Sequence, residues 1–191
     1  MKVRTATADD LQAISVTLAG AFERDPVWSW AFPHRDQLEV WWRFWVAAAI
    51  PQGEVLLTDD AEAVAVWLPP GGYEVAPEDE PHIEPLLRAL IGDRAPLVAE
   101  VLASFEANHP DGSYAYLTLL GTAPGHRGRG VGMALLAESL ARIDARHEPA
   151  YLESSNPVNI SRYESVGFVP IGAFELPEGQ GTVTTMWRAA R

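Results

Sequence analysis

The stretch that most restricts the fold runs from Leu117 to Met133, Leu-Thr-Leu-Leu-Gly-Thr-Ala-Pro-Gly-His-Arg-Gly-Arg-Gly-Val-Gly-Met. It reads as a strand, a stop at Ala123-Pro124-Gly125, a loop with glycine at alternate positions, and the start of a helix. Glycines let backbone N–H groups turn inward and approach a ligand closely. A helix beginning near Gly130 adds its positive dipole end and unpaired N–H groups, which favour a phosphate. Arg127 and Arg129 add guanidinium groups whose forked geometry matches phosphate oxygens. The chain has 14 basic and 26 acidic side chains, a net charge of −12. In so acidic a protein two arginines in such a turn need a reason, and a phosphorylated ligand supplies one.

Several ligand classes are excluded by what is missing. A dinucleotide fingerprint needs G-x-G-x-x-G; Gly128 and Gly130 fit, but the third position is Met133, and starting at Gly130 puts Leu135 there. Glu153 does lie about 20 residues on, where an acidic ribose ligand belongs, but one matching spacing does not offset a failed glycine. Lys2 is the only lysine, so neither a P-loop nor a pyridoxal Schiff base can be built. Without cysteine there is no disulfide, thiolate metal site or cysteinyl intermediate. The five histidines show no metal-ligand spacing and read as surface or turn residues, so no metal is expected. The acidic balance argues against nucleic acid. No signal-peptide core is visible, and Trp41 to Ile50 is about half the ~20 residues a membrane span needs. A soluble, cytoplasmic protein is the expectation.

Periodicity predicts a strand at Val3–Ala6, then a helix from about Ala8 to Arg24, capped by Thr7 and ended by Asp25-Pro26. A second helix is expected over Asp36–Ile50, and Glu54–Thr58 with Ala63–Leu68 reads as a hairpin. Tyr73 to Pro85 is expected to be an irregular, exposed loop, its acidic part a solvated edge. Two shorter helices follow, near Pro85–Ile91 and Ala95–Asn108. The carboxyl-terminal part alternates: strand Ser113–Thr122, helix Gly130–His147, strand Ala150–Ser154, helix Asn156–Val166, and a hairpin of Phe168–Leu176 with Thr182–Arg188. With 48% apolar residues and no dividing linker, residues 1–191 are expected to form a single α/β or α+β domain.

Arg127-x-x-Gly130-x-Gly132, preceded by Thr122-x-Pro124, resembles the coenzyme A pyrophosphate loop of the GCN5-related N-acetyltransferase (GNAT) superfamily. Asn156, then Tyr163, then Gly167-Phe168 resembles its second motif. The run Ala150 to Asn159 with Tyr163-Glu164, together with Ala21-Phe22, Asp25-Pro26 and Ala63–Trp67, looks most like the puromycin N-acetyltransferases and their bacterial relatives within it. The likeness is specific from Leu117 to Phe168 and loose between Trp28 and Glu54 and from Tyr73 to Glu106. It implies a mixed, twisted sheet of about six to seven strands, flanked by helices and splayed between the fourth and fifth strands. It also implies acetyl-CoA as co-substrate. Leu120, Gly121 and Thr122 would meet the pantetheine arm, Arg127, Gly128, Arg129, Gly130, Val131, Gly132 and Met133 would form the pyrophosphate end, and Asn156 and Asn159 would lie near the arm.

Acetyl transfer to an amine needs a neutral nucleophile, a stabilised oxyanion and a protonated leaving thiolate. Tyr163 is the candidate acid by its motif position. Glu153, at a strand end, is the first candidate base, with Glu23 and Glu106 as alternatives. The aromatic crowd around Phe22 to Trp45 is by default packing, but Trp28, Trp30 and Tyr73 are candidate acceptor contacts. The reading is an N-acetyltransferase, monomeric or homodimeric, acting on a small-molecule primary amine such as an antibiotic or other secondary metabolite. Its rivals are a protein N-terminal or lysine acetyltransferase and a non-catalytic acyl-CoA sensor.

Overall fold

The computed structural model describes residues 2–191. Seven strands form one sheet: β1 (Val3–Thr5), β2 (Val55–Thr58), β3 (Ala63–Leu68), β4 (Ala115–Thr122), β5 (Ala150–Ser154), β6 (Val169–Glu175) and β7 (Thr182–Arg188), in the order β1-β2-β3-β4-β5-β7-β6. Among the described residues only β4 and β5 run parallel; every other neighbouring pair is antiparallel. The helices are α1 (Leu11–Phe22), α2 (Trp28–Ala31), α3 (Arg35–Ala49), α4 (Ile83–Ile91), α5 (Ala95–Ala107), α6 (Val131–Asp144) and α7 (Ile160–Glu164). The apolar runs Val55–Leu57 of β2 and Ala63–Leu68 of β3 are buried on both faces, as an apolar strand without alternation requires. One core joins Val64, Val66, Tyr116 and Tyr151 to α1, α3, α4 and α5; the other joins Ala65, Leu117 and Leu152 to α6.

The two parallel strands separate after three residues. Ala115, Tyr116 and Leu117 face Ala150, Tyr151 and Leu152, and no pair follows. Beyond that point β4 stays with β3 while Glu153 and Ser154 stay with β7. The register of β3 on β4 jumps there: Trp67 faces Leu117 but Val66 faces Leu119, so Thr118 is an extra residue. A bulge bends its strand and increases the twist, and this one sits where β4 leaves β5. Thr118 Oγ1 donates to the carbonyl of Val66 at 3.2 Å, holding the bulge to β3. The splayed sheet is thereby present, with its local cause.

Gly121 settles how α1 lies on this strand. A Cβ there would come within 2.8 Å of Leu18 Cδ2 and 3.0 Å of the Ala21 methyl, so the bare backbone lets α1 pack directly on β4. On the other face Arg188 of β7 is buried, paired through both terminal nitrogens with Asp144 at 2.6 and 2.8 Å and bonded to the Val166 carbonyl.

Two sequence expectations are corrected. The helix expected over Asn156–Val166 is a single 3-10 turn, Pro157–Asn159, followed by the five-residue α7. The region Tyr73–Pro85 is not wholly exposed. Val75 is buried and Glu74 half-buried, because the turn at Pro69–Gly72, closed by Gly72 N–H donating to the Pro69 carbonyl at 2.8 Å, sends the chain back across the sheet. Among the described residues no helix is long and apolar enough to cross a membrane.

Candidate active site

Two cavities meet where β4 and β5 part. The larger, about 700 Å³, lies on the α1, α3 and α5 side. The smaller, about 470 Å³, runs along the loop before α6. Phe22, Asp25, Leu120, Asn159 and Tyr163 line both, so this set marks the junction.

The smaller cavity forms a cradle along the glycine-rich turn. Gly130 caps α6 at φ 76° and Gly128 stands at φ 75°, left-handed conformations that favour glycine, with open space where each side chain would be. A Cβ at Gly132 would collide with Thr122 Oγ1, so that glycine lets the helix start against the strand end. The first N–H groups of the 14-residue α6 receive no side-chain cap and are available to a phosphate. Arg127, Val131 and Met133 line the cavity with these glycines. Arg127 does more than face it: its Nη2 donates to the carbonyls of Gly20 at 2.9 Å and Ala21 at 2.7 Å, tying the loop to the carboxyl end of α1. Arg129 is exposed and lines neither cavity, and neither does Gly121, whose face is covered by α1. Asn156 and Asn159 line the cradle's far wall, their side-chain oxygens accepting from Val158 N–H and from Arg162.

The larger cavity has an aromatic wall and a polar end. Trp28 and Trp42 pack edge to face at 4.9 Å, Phe22 lies 5.0 Å from Trp42, and Phe105 stacks on Trp28 at 5.8 Å. Tyr73 stands at the rim, 46% exposed. Trp30 is elsewhere: it does not line the cavity, and the Arg94 guanidinium lies 5.0 Å over its ring. That expected contact is corrected. On the short α2 the side chains of Trp28 and Trp30 diverge, and only the first meets the cavity.

At the polar end Glu153 is almost fully buried. Tyr116 donates to its Oε2 at 2.6 Å and Tyr151 to its Oε1 at 3.0 Å. These tyrosines face each other across the short β4–β5 ladder. Burial, then the Glu153 charge, pushes both hydroxyls above their ordinary range, which keeps them as donors. His109 Nε2 lies 3.7 Å from Glu153 Oε2 and has no hydrogen-bond partner among the described residues. Burial lowers the His109 pKa, but Glu153, Glu74 and Glu106 together outweigh it, so the net shift is upward. Glu74 enters from the loop after β3; burial, with Glu153 and Glu106 adding and His109 opposing, pushes it up to about 7. Sequence reading favours a turn histidine for His109, with a place at the site as the minor alternative, and for Glu74 a solvated edge that would also attract an amine; no local pattern marks side chains that meet only across the fold.

Tyr163 stands at the junction. Burial, then the Asp25 carboxyl, pushes its hydroxyl up to about 12, so at neutral pH it is a protonated donor. Glu23 and Glu106, the remaining candidate bases, separate: Glu106 lines the larger cavity and Glu23 lines neither. Such an arrangement can hold a phosphorylated carrier on one side and a cationic, flat molecule on the other, with a tyrosine hydroxyl between them.

The model of the Acetyltransferase (GNAT) family matches residues 21–168. The Corynebacterium glutamicum structure of histone acetyltransferase HPA2 and related acetyltransferase is 25% identical, with a TM-score of 0.75 over 100% of this chain and 96% of that one. Drosophila melanogaster polyamine N-acetyltransferase, at 19% identity and a TM-score of 0.66 over 98% and 99% of the two chains, shares the fold. Arylalkylamine N-acetyltransferase 2 from Aedes aegypti shares it as well, at 12% identity and a TM-score of 0.65 over 100% and 99%.

Proposed function

The chain belongs to the acetyltransferase (GNAT) family, an acyltransferase with an acyl-CoA co-substrate, and we propose that it moves an acetyl group from acetyl-CoA to a primary amine of a small molecule. The cradle suits the carrier: two left-handed glycines, a third that admits no side chain, and an uncapped helix start. Arg127, Gly128, Gly130, Val131, Gly132 and Met133 would hold the pyrophosphate end, and the open edge of β4 at Leu120 and Thr122 would lie along the pantetheine arm. Bound acetyl-CoA supplies the thioester. Arg129, exposed beside the cradle, adds long-range attraction for the phosphates.

The observation that carries the acceptor reading is the larger cavity itself. It is closed in by aromatic rings, ends in buried carboxylates and meets the cradle at Tyr163. Among the described residues no lysine or arginine lines it. An aromatic wall and carboxylates without such partners favour a flat or cationic amine, the class to which an aminated antibiotic or other secondary metabolite belongs. A cavity of this size is better matched to a small molecule than to a polypeptide segment. The solved neighbours named for arylalkylamines and polyamines support the same direction through their fold.

In this reading Tyr163 donates its proton to the departing sulfur. Its hydroxyl, harder to ionise than a free tyrosine's, gives the proton up only as the carbon–sulfur bond breaks, since a thiol's ordinary pKa is about 8.5. Glu153, held by Tyr116 and Tyr151, accepts a proton or holds a positive charge at the acceptor's end of the cavity. Trp28 and Tyr73 bound the acceptor. The test is incubation with acetyl-CoA and a panel of aromatic and aliphatic amines while free thiol is followed. Thiol release that depends on a small amine supports the reading. Release only with peptides, or tight acetyl-CoA binding with no release, refutes it.

A further inference from the structure

Asp25 is a buried carboxylate with no cation beside it. It is 6% exposed, and it forms no ion pair among the described residues. Its Oδ1 accepts the N–H groups of Val27 at 3.0 Å and Trp28 at 3.2 Å, which opens α2. Its Oδ2 accepts the Ser155 hydroxyl at 2.8 Å. A cap uses only Oδ1, and asparagine or serine caps equally well without a charge. Burying a carboxylate without a partner is costly, so capping alone does not account for the acid.

Its place does. Asp25 lines both cavities, as Tyr163 does, whereas Glu153 lines only the larger one. After burial, the Asp25 charge is what raises the Tyr163 hydroxyl. Each oxygen of Glu153 accepts one tyrosine hydroxyl, as Oδ2 of Asp25 accepts one serine hydroxyl; what separates the two acids is place, since only Asp25 stands where the cavities meet. An ammonium group entering from the larger cavity and approaching the thioester reaches this junction, which Asp25 lines.

We infer that Asp25 is the catalytic base: it receives the proton of the attacking ammonium where the cavities meet, with Ser155 orienting its Oδ2 and Glu153 left to bind the acceptor's far end. The inference rests on the acetyl-transfer reading above. The ammonium gives one proton to Asp25; the freed lone pair forms the nitrogen–carbon bond as the carbon–sulfur bond breaks. Tyr163 protonates the sulfur, the second proton leaving nitrogen restores Tyr163, and Asp25 releases its proton to solvent. The products are an amide, a free thiol and one proton.

The test compares Asp25→Asn with Glu153→Gln, using an amine that releases thiol with the unaltered protein. Asparagine preserves the cap, so the Asp25→Asn protein is expected to fold and to bind acetyl-CoA with unchanged affinity. Its kcat is expected to fall about a hundredfold or more, the usual scale of a lost proton acceptor, while Glu153→Gln acts mainly on KM. Ser155→Ala, which leaves the cap untouched, is expected to lower kcat about tenfold. Independently of turnover, carbon-13 labelling of aspartate carboxyls should show the Asp25 signal, assigned by its loss in Asp25→Asn, moving when the amine is added without acetyl-CoA. An Asp25→Asn protein within about threefold of normal kcat, or a signal that the amine does not move, overturns the inference alone. No thiol from any amine overturns the acetyl-transfer reading and the inference with it.

Discussion

Thr122, the last residue of β4, places its Oγ1 too close to where a β-carbon of residue 132 would be, so glycine at that position lets α6 start against the strand. The strand edge and the helix N-terminus are thereby brought side by side: the edge offers backbone groups and the helix start offers N–H donors with a positive dipole end. Gly132→Ala forces strand and helix apart at their closest point. We expect it to cost about 1–3 kcal/mol, as overpacking does, and to weaken coenzyme A binding at least tenfold. Thermal shift with and without coenzyme A measures both, and an unchanged ligand-induced shift would contradict the cradle.

Tyr163→Phe keeps the ring that packs 6.2 Å from Phe168 and removes only the hydroxyl. Acetyl-CoA affinity should hold, while kcat falls by roughly ten- to a hundredfold, because solvent can protonate a thiolate more slowly. Stopped-flow thiol detection separates this from a binding defect. Full activity would leave Tyr163 as a packing residue.

Glu74 sets a pH dependence. Its folded pKa of about 7 lies above the ordinary 4.5 of a glutamate, so the folded protein holds a proton that the unfolded chain has lost. Stability therefore falls as pH rises from about 4.5 to 7 and levels off above that. Glu74→Gln mimics the protonated form: it should match the natural protein near pH 4.5 and be more stable at pH 8. Urea titrations at the two pH values check the sign. The same ionisation adds negative charge to the larger cavity, so KM for a cationic acceptor should fall between pH 6 and 8, and Glu74→Gln should flatten that trend.

Asp144 shows the opposite sign. The hydrogen-bonded Arg188 guanidinium holds its carboxyl below the usual range, so its contribution is present above the unfolded pKa and is lost as pH falls through the folded one. Arg188 is only 3% exposed. Asp144→Asn leaves that cation buried without a charged partner and should destabilise by about 3–5 kcal/mol near neutral pH. The difference should shrink in acid, where Asp144 is protonated anyway. A pH-independent difference would mean that packing, not charge, is what was lost.

The glycine turn was legible because its causes are local. Gly128 and Gly130 need positive φ, and α6 begins where the glycine pattern ends. Tyr163 stands out through the resemblance of Asn156, Tyr163 and Gly167-Phe168 to the family's second motif, not through any local pattern. The bulge at Thr118 had no sequence mark, since a bulge is a mismatch between two strands and neither shows it alone. The sequence pattern extends α7 beyond its five residues because Pro157 starts a 3-10 turn whose three residues mimic the beginning of a longer helix.

By itself the sequence determined the strands, the glycine turn, the helix behind it and the exclusion of lysine and cysteine chemistry, because each follows from backbone preferences within a few residues or from composition. The tertiary structure alone decided which acids and aromatics line the larger cavity. Asp25 follows α1, Glu74 lies on a loop after β3, His109 follows α5 and Glu153 lies near the end of β5; they meet because the bulged β4 turns away from β5 and the helices close over the gap. Burial then gives them chemical properties that no isolated segment has, since desolvation and mutual charge depend on what surrounds a group in space.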